Sequence, residues 1–210
     1  MIIEPKISDN LNEVHYLKNV LTNEELICGA LMQNEEEYNI VKEDIEINSS
    51  KLKNVKFISC SFEKSYFVDV IFENCDLSNI NLSKSTFKKV IFKDCKLNGA
   101  NFTESYFENV TFDNCNARTI YLDQSSIYST KFNESILKDS SISYVNFKYI
   151  EIYKSDFTLC NFSKSKLNGL DFSNSIIDGI IVYNEDLKGV VMNEMQALSF
   201  VKLLGIKIKN

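Results

Sequence analysis

Residues 67–92 read FVDVIFENCDLSNINLSKSTFKKVIF, with Phe or Leu at every fifth position. The same spacing runs without a slip from Ile47 to Met192, and 22 of these 30 positions hold Leu or Phe. A second column, two residues before each large side chain, is mostly small, with Ser ten times and Cys five times. A period of five fits neither the 3.6 residues per turn of a helix nor the two-residue alternation of a strand. The pattern therefore predicts a solenoid.

Both columns are predicted to point inward, which leaves the other three residues of each unit on the surface. Four units would form one square turn of 20 residues, and cysteines of the small column recur at this spacing, at Cys75, Cys95 and Cys115. Stacked coils lie ~4.8 Å apart in any β-ladder, so about seven coils would form a rod of roughly 35 Å. Phe112 should then lie between Phe92 and Phe132. We predict an all-β fold, a quadrilateral β-helix.

The chain divides into three predicted regions: residues 1–44, the repeat of residues 45–192, and residues 193–210. The last region returns to a helical period. Asn193 is a suitable N-cap and Gly205 a suitable residue to end the helix. The apolar stripe of this C-terminal helix is predicted to contain Ala197, Leu198, Phe200, Val201 and Leu204.

Two interpretations of residues 1–44 stay open. In the first, Thr22-Asn-Glu-Glu25 is a capping box that opens a short amphipathic helix, which caps the first coil. In the second, leucines at five-residue spacing form a first coil one residue out of phase with the repeat, at Leu21, Leu26 and Leu31. The Glu-rich stretch Gln33–Asp44 would then be a loop ejected from the solenoid.

The chain lacks residues that common enzymatic mechanisms need. His15 is the single histidine and lies outside the repeat, so neither a His-based triad nor a His-rich zinc site is expected. No glycine-rich phosphate loop is present. Five of the six cysteines lie in the small column, which indicates buried thiols in a reducing compartment. We predict no catalytic, cofactor-binding or metal-binding residues and no cofactor.

Net charge and hydropathy limit the possible cellular location of the protein and the classes of partner that it can bind. The net charge of −6 excludes a basic nucleic-acid-binding protein, so no direct nucleic-acid contact is expected. Residues 1–6 lack the basic start and apolar core of a secretory signal. No run of about 18 apolar residues is present, so no membrane span is expected. We predict a cytoplasmic protein.

The repeat resembles the pentapeptide-repeat family, whose unit is A-(D/N)-L-x-x. The best matches are Ala100-Asn101-Phe102 and Cys75-Asp76-Leu77, and the resemblance covers residues 45–192. It implies a right-handed quadrilateral β-helix.

The C-terminus is similar to that of the bacterial quinolone-resistance (Qnr-type) members of this family. The similarity lies in Asp186-Leu-Lys-Gly-Val190, Gln196-Ala197 and Leu204-Gly-Ile206. In those proteins a terminal helix caps the last coil and joins two rods in a two-fold dimer. The resemblance implies a homodimer with interface residues Gln196, Phe200, Val201, Leu203, Leu204 and Ile206. A cap without dimerisation is the alternative.

The same resemblance implies a non-enzymatic DNA mimic that binds bacterial DNA gyrase and topoisomerase IV and protects them from quinolones. Residues 45–192 hold 18 acidic and 17 basic residues, whereas ~35 Å of duplex DNA carries about 20 negative charges. The most acidic face is predicted to carry Glu73, Asp94, Asp113, Glu134, Glu151 and Asp171. The alternative function is a scaffold for another protein partner without topoisomerase activity. It would use residues 1–44 or the outward tyrosines Tyr121, Tyr128, Tyr144, Tyr149 and Tyr153.

Overall fold

The chain forms a parallel β-solenoid of about seven turns. The structure, a computed structural model, describes residues 2–23, 25–201 and 205–207. From Leu26 onward, strand pairs are parallel and join residues 20 positions apart, as Phe67 with Phe87 and Phe87 with Phe107. This register confirms the predicted solenoid and its 20-residue turn.

Four eight-residue strands line two adjacent sides of the central coils, and shorter strands continue the ladder toward both ends. The elements are β1 (Asn12–Glu13), α1 (Leu17–Asn23), β2 (Leu26–Cys28), β3 (Ala30–Gln33), β4 (Glu36–Tyr38), β5 (Val41–Glu43), β6 (Glu46–Lys53), β7 (Lys56–Ile58), β8 (Ser61–Glu63), β9 (Tyr66–Glu73), β10 (Thr86–Lys93), β11 (Tyr106–Asp113), β12 (Ser126–Tyr128), β13 (Lys131–Asn133), β14 (Asn146–Lys148), β15 (Glu151–Tyr153) and α2 (Glu194–Phe200). On the other two sides of the central coils, single bridges such as Asp76–Lys96 and Asn81–Asn101 replace strands.

The large column fills the interior with stacked rings. Phe112 is 2% exposed, and its ring centroid lies 5.1 Å from that of Phe92 and 5.2 Å from that of Phe132. Both ring pairs are nearly parallel, with interplanar angles of 9° and 3°. The predicted position of Phe112 between Phe92 and Phe132 is confirmed. Stacking identical side chains on successive coils gives the close packing that is typical of protein interiors.

The small column satisfies backbone groups inside the rod. The Ser105 hydroxyl accepts a hydrogen bond from the Ser85 N–H at 3.1 Å and donates to the Leu82 carbonyl at 3.1 Å. The Cys115 thiol donates to the Phe92 carbonyl at 3.2 Å. A small side chain with a donor is therefore useful here, because buried polar groups need partners and the rings need space.

The corners between the four sides have a left-handed backbone. The residue two positions after most large side chains has a positive φ, for example 53° at Asn54, 52° at Asn74 and 50° at Asn114. Asn and Asp tolerate this conformation better than most residues other than glycine. This explains why these residue types are frequent there.

Residues 17–44 contain a short helix that packs on the core, as the first interpretation predicts, but its position and the first coil differ from both interpretations. Helix α1 ends at Asn23, so the predicted capping box overlaps the end of a helix and does not open one. The first coil is in phase, since Ile27 pairs with Ile47 and Met32 with Leu52. The stretch predicted as an ejected loop contains β4 and β5, which pair with β7 and β8. The pattern was hidden because Glu37 and Lys42 stand where Leu or Phe stands in later coils.

Buried Glu37 anchors the helix that covers this first coil. Its carboxylate accepts a short hydrogen bond from the N–H of Leu17, the first residue of α1. Glu35 accepts hydrogen bonds from the Tyr16 N–H at 2.8 Å and from His15 Nδ1 at 2.7 Å. A carboxylate at a helix N-terminus satisfies N–H groups that have no partner within the helix. An acidic residue inside the rod is therefore part of the N-terminal cap.

Residues 2–11, which we call the N-terminal strap, run along the outside of the rod. The Ile3 N–H donates to Asn109 Oδ1 at 3.1 Å, and the Lys6 N–H donates to Asp69 Oδ1 at 2.8 Å. The chain then enters β1, which pairs with β3. The strap thus connects the middle of the solenoid to its first coil.

The C-terminal end is closed by α2. Asn193 is the N-cap, and its side chain forms a capping box with Gln196, which confirms the predicted start of the helix. Glu185 occupies an inward position of the small column but is exposed, because the last coil opens beneath the helix. Leu204, predicted in the apolar stripe, lies outside the described residues. Neither described helix is long and apolar enough to cross a membrane.

Candidate partner-binding surfaces

The six predicted carboxylates lie on one side of the rod. We call this side the partner face; it consists of the outward residues in 51–54, 71–74, 91–94, 111–114, 131–134, 151–154 and 171–174. Parallel pairing stacks Glu73, Lys93 and Asp113 in one column and Lys131 and Glu151 in another. The side chains of such columns are fixed ~4.8 Å apart along the rod.

Lysines from the same face neutralise several of these carboxylates. Glu73 lies 2.5 Å from Lys51 Nζ and 3.6 Å from Lys53 Nζ. The hydrogen bond from Lys51 lowers the pKa of Glu73 below its usual value. Glu134 lies 3.7 Å from Lys154. These pairs leave the partner face mixed in charge and not uniformly acidic.

Amide side chains hold two further carboxylates. Asp94 accepts a hydrogen bond from Asn114 Nδ2 at 2.7 Å, and Asp113 accepts one from Asn133 Nδ2. Asp171 accepts a hydrogen bond from the Ser173 N–H at 2.9 Å. Hydrogen bonds from the Ser173 side chain and backbone lower the pKa of Asp171. These hydrogen bonds hold the three carboxylates in fixed positions.

A groove of about 450 Å³ runs beside the N-terminal strap on the partner face. Its walls include Ile2 and Glu4 from the strap and Ile91, Asp113 and Glu151 from the rod. Two of the six predicted carboxylates, Asp113 and Glu151, line this groove. The sequence did not predict that the strap would border this face.

The five predicted tyrosines are spread over three sides of the rod. Tyr121 and Tyr144 are on the side opposite the partner face, Tyr128 and Tyr149 are on an adjacent side, and Tyr153 is on the partner face itself. Four of the five are exposed, and Tyr149 is the most exposed at 73%. The structure does not bring these residues together into one surface.

The rod end near α2 presents an apolar groove of about 420 Å³. Its lining includes Leu187, Met192 and the predicted interface residues Phe200 and Val201. Ile206 is 52% exposed, and Leu203 and Leu204 lie outside the described residues.

Gln196, also predicted at the dimer interface, makes contacts within the chain. Its Nε2 donates to the carbonyls of Phe172 at 3.0 Å and Ser175 at 2.7 Å. These two bonds hold α2 against the last coils and thereby shape the apolar groove at the rod end.

No group of side chains suited to metal binding occurs among the residues that the structure describes. Cys75, Cys95 and Cys115 are buried in the small column. Burial raises the pKa of another thiol in this column, Cys160, to about 12. A thiol with such a pKa is neither a nucleophile nor a metal ligand at neutral pH.

Sequence comparison with protein families now adds to this geometry. The model "Pentapeptide repeat region" matches residues 65–142, and the model "Pentapeptide repeats (8 copies)" matches residues 140–179. Together they span more than half of the chain. The chain belongs to the pentapeptide-repeat proteins. A search of functionally curated proteins finds no match to this pentapeptide-repeat protein.

Several solved pentapeptide-repeat structures are similar to this one. Full-length QnrB1, a plasmid-mediated fluoroquinolone resistance protein, is 17% identical, with 84% of this chain and 100% of that chain covered and a TM-score of 0.45. HetL, involved in heterocyst differentiation regulation in the cyanobacterium Nostoc sp. strain PCC 7120, is 10% identical, with 85% and 95% covered and a TM-score of 0.33. Rfr23 from the cyanobacterium Cyanothece 51142 is 9% identical, with 84% and 97% covered and a TM-score of 0.29.

Proposed function

We propose that this pentapeptide-repeat protein is a cytoplasmic, non-catalytic homodimer that binds a bacterial type II topoisomerase and protects it from quinolones. The partner face makes the contact, and the C-terminal ends of two rods join in a two-fold dimer. The observation that carries the proposal is the apolar, incompletely buried end of the rod. Its sequence is also the part of the chain that is similar to the Qnr-type proteins.

Helix α2 supports the dimer because it has no buried side chain. Met195 is 77% exposed and Leu198 is 49% exposed, although both are apolar. The groove lined by Phe200 and Val201 lies on the other side of the same helix. A two-fold interface sets one patch against its own copy, so a second rod would cover these residues. Gln196 contributes by holding α2 in position.

The partner face supports topoisomerase binding through the regular spacing of its carboxylates and not through its net charge. Carboxylates recur along it at the ~4.8 Å spacing of the coils. Lysines such as Lys51 and Lys154 pair with some of these carboxylates. Exposed ion pairs are weak, about 0–1 kcal/mol, so a basic partner can replace the lysine at little cost. The dimer would offer two such faces along one axis.

The test is supercoiling by purified DNA gyrase, with and without ciprofloxacin, as the protein is titrated. We expect rescue of the drug-inhibited enzyme at micromolar protein. The double variant Glu134→Lys/Glu151→Lys reverses two exposed charges on the partner face and should lose this rescue. The matched control Glu104→Lys/Asp139→Lys makes the same change in charge at exposed positions on other sides and should retain it. Absence of rescue by a folded, dimeric protein would refute the proposal.

A second candidate function is a scaffold for a different protein. The lysine pairing of Glu73 and Glu134 favours it, because a DNA mimic benefits from unpaired negative charge. This function predicts an unchanged response to quinolone on expression. It also predicts that purification from cells recovers a partner other than a topoisomerase, and that the Glu134→Lys/Glu151→Lys variant loses that partner.

A further inference from the structure

The N-terminal strap is an extended peptide bound to the outside of a solenoid. It belongs to no coil, and its polar contacts to the middle of the rod run from its own N–H groups to side chains of the rod. The Ile3 N–H donates to Asn109 at 3.1 Å and the Lys6 N–H donates to Asp69 at 2.8 Å. Ile2, Pro5, Ile7 and Leu11 are partly buried. The rod therefore binds an extended peptide segment that belongs to its own chain.

The acceptors belong to one corner of the rod, which we call the corner column: Asp69, Lys89, Asn109, Ser129 and Tyr149. All five have a left-handed backbone, with φ between 46° and 59°. Asp69 and Asn109 are two coils apart, or ~9.6 Å. Ile3 and Lys6 are three residues apart, which spans ~10 Å in an extended chain. The spacing of Asp69 and Asn109 thus matches two N–H groups that are three residues apart in an extended peptide.

The corner column continues past the end of the strap. Ser129 and Tyr149 extend it toward the C-terminal coils, and the Tyr149 side chain is 73% exposed. The groove of about 450 Å³ on the partner face begins at Ile2 and Glu4 and reaches Glu151. A peptide longer than the strap would therefore find further surface in the same direction.

We propose that the corner column and the adjoining groove form a docking site for an extended peptide segment of a partner protein. The N-terminal strap occupies this site in cis and is displaced when the partner binds. The fitting segment is extended, offers N–H groups at every third residue to Asp69 and Asn109, and places apolar side chains between them. The site lies along the middle of the rod, away from the proposed dimer at the C-terminal end. Its groove includes Asp113 and Glu151 of the partner face, but the inference does not require that the partner be a topoisomerase.

Tethering sets the expected strength of the competition. A segment held by a short linker competes at an effective concentration on the order of 1 mM. If the free segment has a dissociation constant of about 10 µM, the intact strap weakens binding of an added peptide by about a hundredfold. Occupancy in cis would therefore keep the site closed to weak ligands and open to a segment that makes additional contacts.

The experiment uses the full chain with a specific protease site inserted between Asp9 and Asn10, which are both exposed. The protein is folded, cleaved, and separated from the released strap, and its circular dichroism is compared with that of the uncleaved form. A fluorescent peptide with the sequence of residues 2–9 is then titrated by anisotropy. We expect saturable binding to the cleaved protein and binding about a hundredfold weaker to the uncleaved protein.

Two pairs of matched controls test the hydrogen bonds themselves. Methylating the peptide nitrogens of Ile3 and Lys6 should weaken binding at least tenfold, whereas methylating that of Glu4 should have a smaller effect. In the cleaved protein, Asn109→Ala should weaken binding, whereas Asn109→Asp retains an acceptor and should bind as before. A folded, cleaved protein that binds no peptide would overturn the proposal. Equal affinity for the methylated peptides would overturn it as well.

Discussion

Phe112→Ala tests the physical basis of the rod. Phe112 is 2% exposed and stacks between Phe92 and Phe132. Truncating a buried Phe to Ala costs about 3–5 kcal/mol. Each lost aromatic pair contributes about 0.5–1.5 kcal/mol beyond its buried area. The coils above and below are held at their spacing by the backbone ladder, so the cavity cannot collapse. We therefore expect the free energy of unfolding to fall by about 4–5 kcal/mol, near the upper end of the range for buried Phe.

The assay is urea denaturation followed by far-UV circular dichroism at one fixed protein concentration, because dimerisation would make stability depend on concentration. Tyr149→Ala is the control, since its side chain is 73% exposed and should cost less than about 0.5 kcal/mol. Each coil contacts only its neighbours. Hydrogen exchange in the variant should therefore accelerate most in the coils of Phe92 and Phe132. A loss below about 1 kcal/mol would refute the inward orientation of this column.

Three further predictions concern the two ends of the rod. Burial raises the pKa of Glu37, so the folded state binds its proton more tightly and this group's contribution to stability falls as pH rises above about 4.5. Glu37→Gln keeps an acceptor for the Leu17 N–H and should remove that part of the pH dependence, measured by unfolding at several pH values. Gln196→Ala removes the capping box and should cost about 1–2 kcal/mol, seen as faster hydrogen exchange in α2 alone. Phe200→Asp should convert the proposed dimer to a monomer in sedimentation, whereas Tyr149→Asp should not.

The repeat and its cross-section were predictable because the five-residue period follows directly from the geometry of one side of the coil. Each inward position needs a large or small side chain regardless of where the coil lies along the rod. The 20-residue spacing of Cys75, Cys95 and Cys115 showed how many units form one turn. The structure confirms this turn, with Phe72, Phe92 and Phe112 in one ladder.

The phase of the first coil was predicted wrongly because one of its inward residues, Glu37, serves a second purpose. Glu37 stands where Leu or Phe stands in later coils, and its carboxylate binds the first turn of α1. An acidic residue at a core position looks like the end of a repeat when only the sequence is considered. The in-phase residues Ile27 and Met32 were the available signal.

The surface was less predictable than the core. The carboxylates were correctly grouped on one face, because the phase of the repeat determines the side of the rod. Which lysine pairs with Glu73 depends on long side chains that reach between coils, and the sequence period does not specify this. The strap was missed because its few apolar residues, such as Ile2 and Ile7, follow no period. The roles of these surface residues in partner binding stay predictions.

Stacking also explains which acidic residues are most informative about function. Like charges on neighbouring coils repel by roughly 0.2–1 kcal/mol, so columns tend to alternate, as in Glu36, Lys56, Asp76 and Lys96. Asp171 lies outside such an alternating column, because it pairs with the apolar Val191 one coil later. Its hydrogen bond from the Ser173 N–H does not require a charge, since Asn161 makes the same bond to Ser163.

Asp171→Asn therefore separates binding from stability. The change weakens the hydrogen bond from Ser173, because bonds to charged acceptors are stronger, but the amide oxygen of Asn still accepts it. Since the side chain at this position is exposed, the free energy of unfolding should change by less than about 0.5 kcal/mol. If Asp171 binds a basic partner, the same variant should need several-fold more protein to rescue gyrase from ciprofloxacin. Unchanged rescue would mean that the charge at position 171 has no role in partner binding, and a large loss of stability would mean that it is structural.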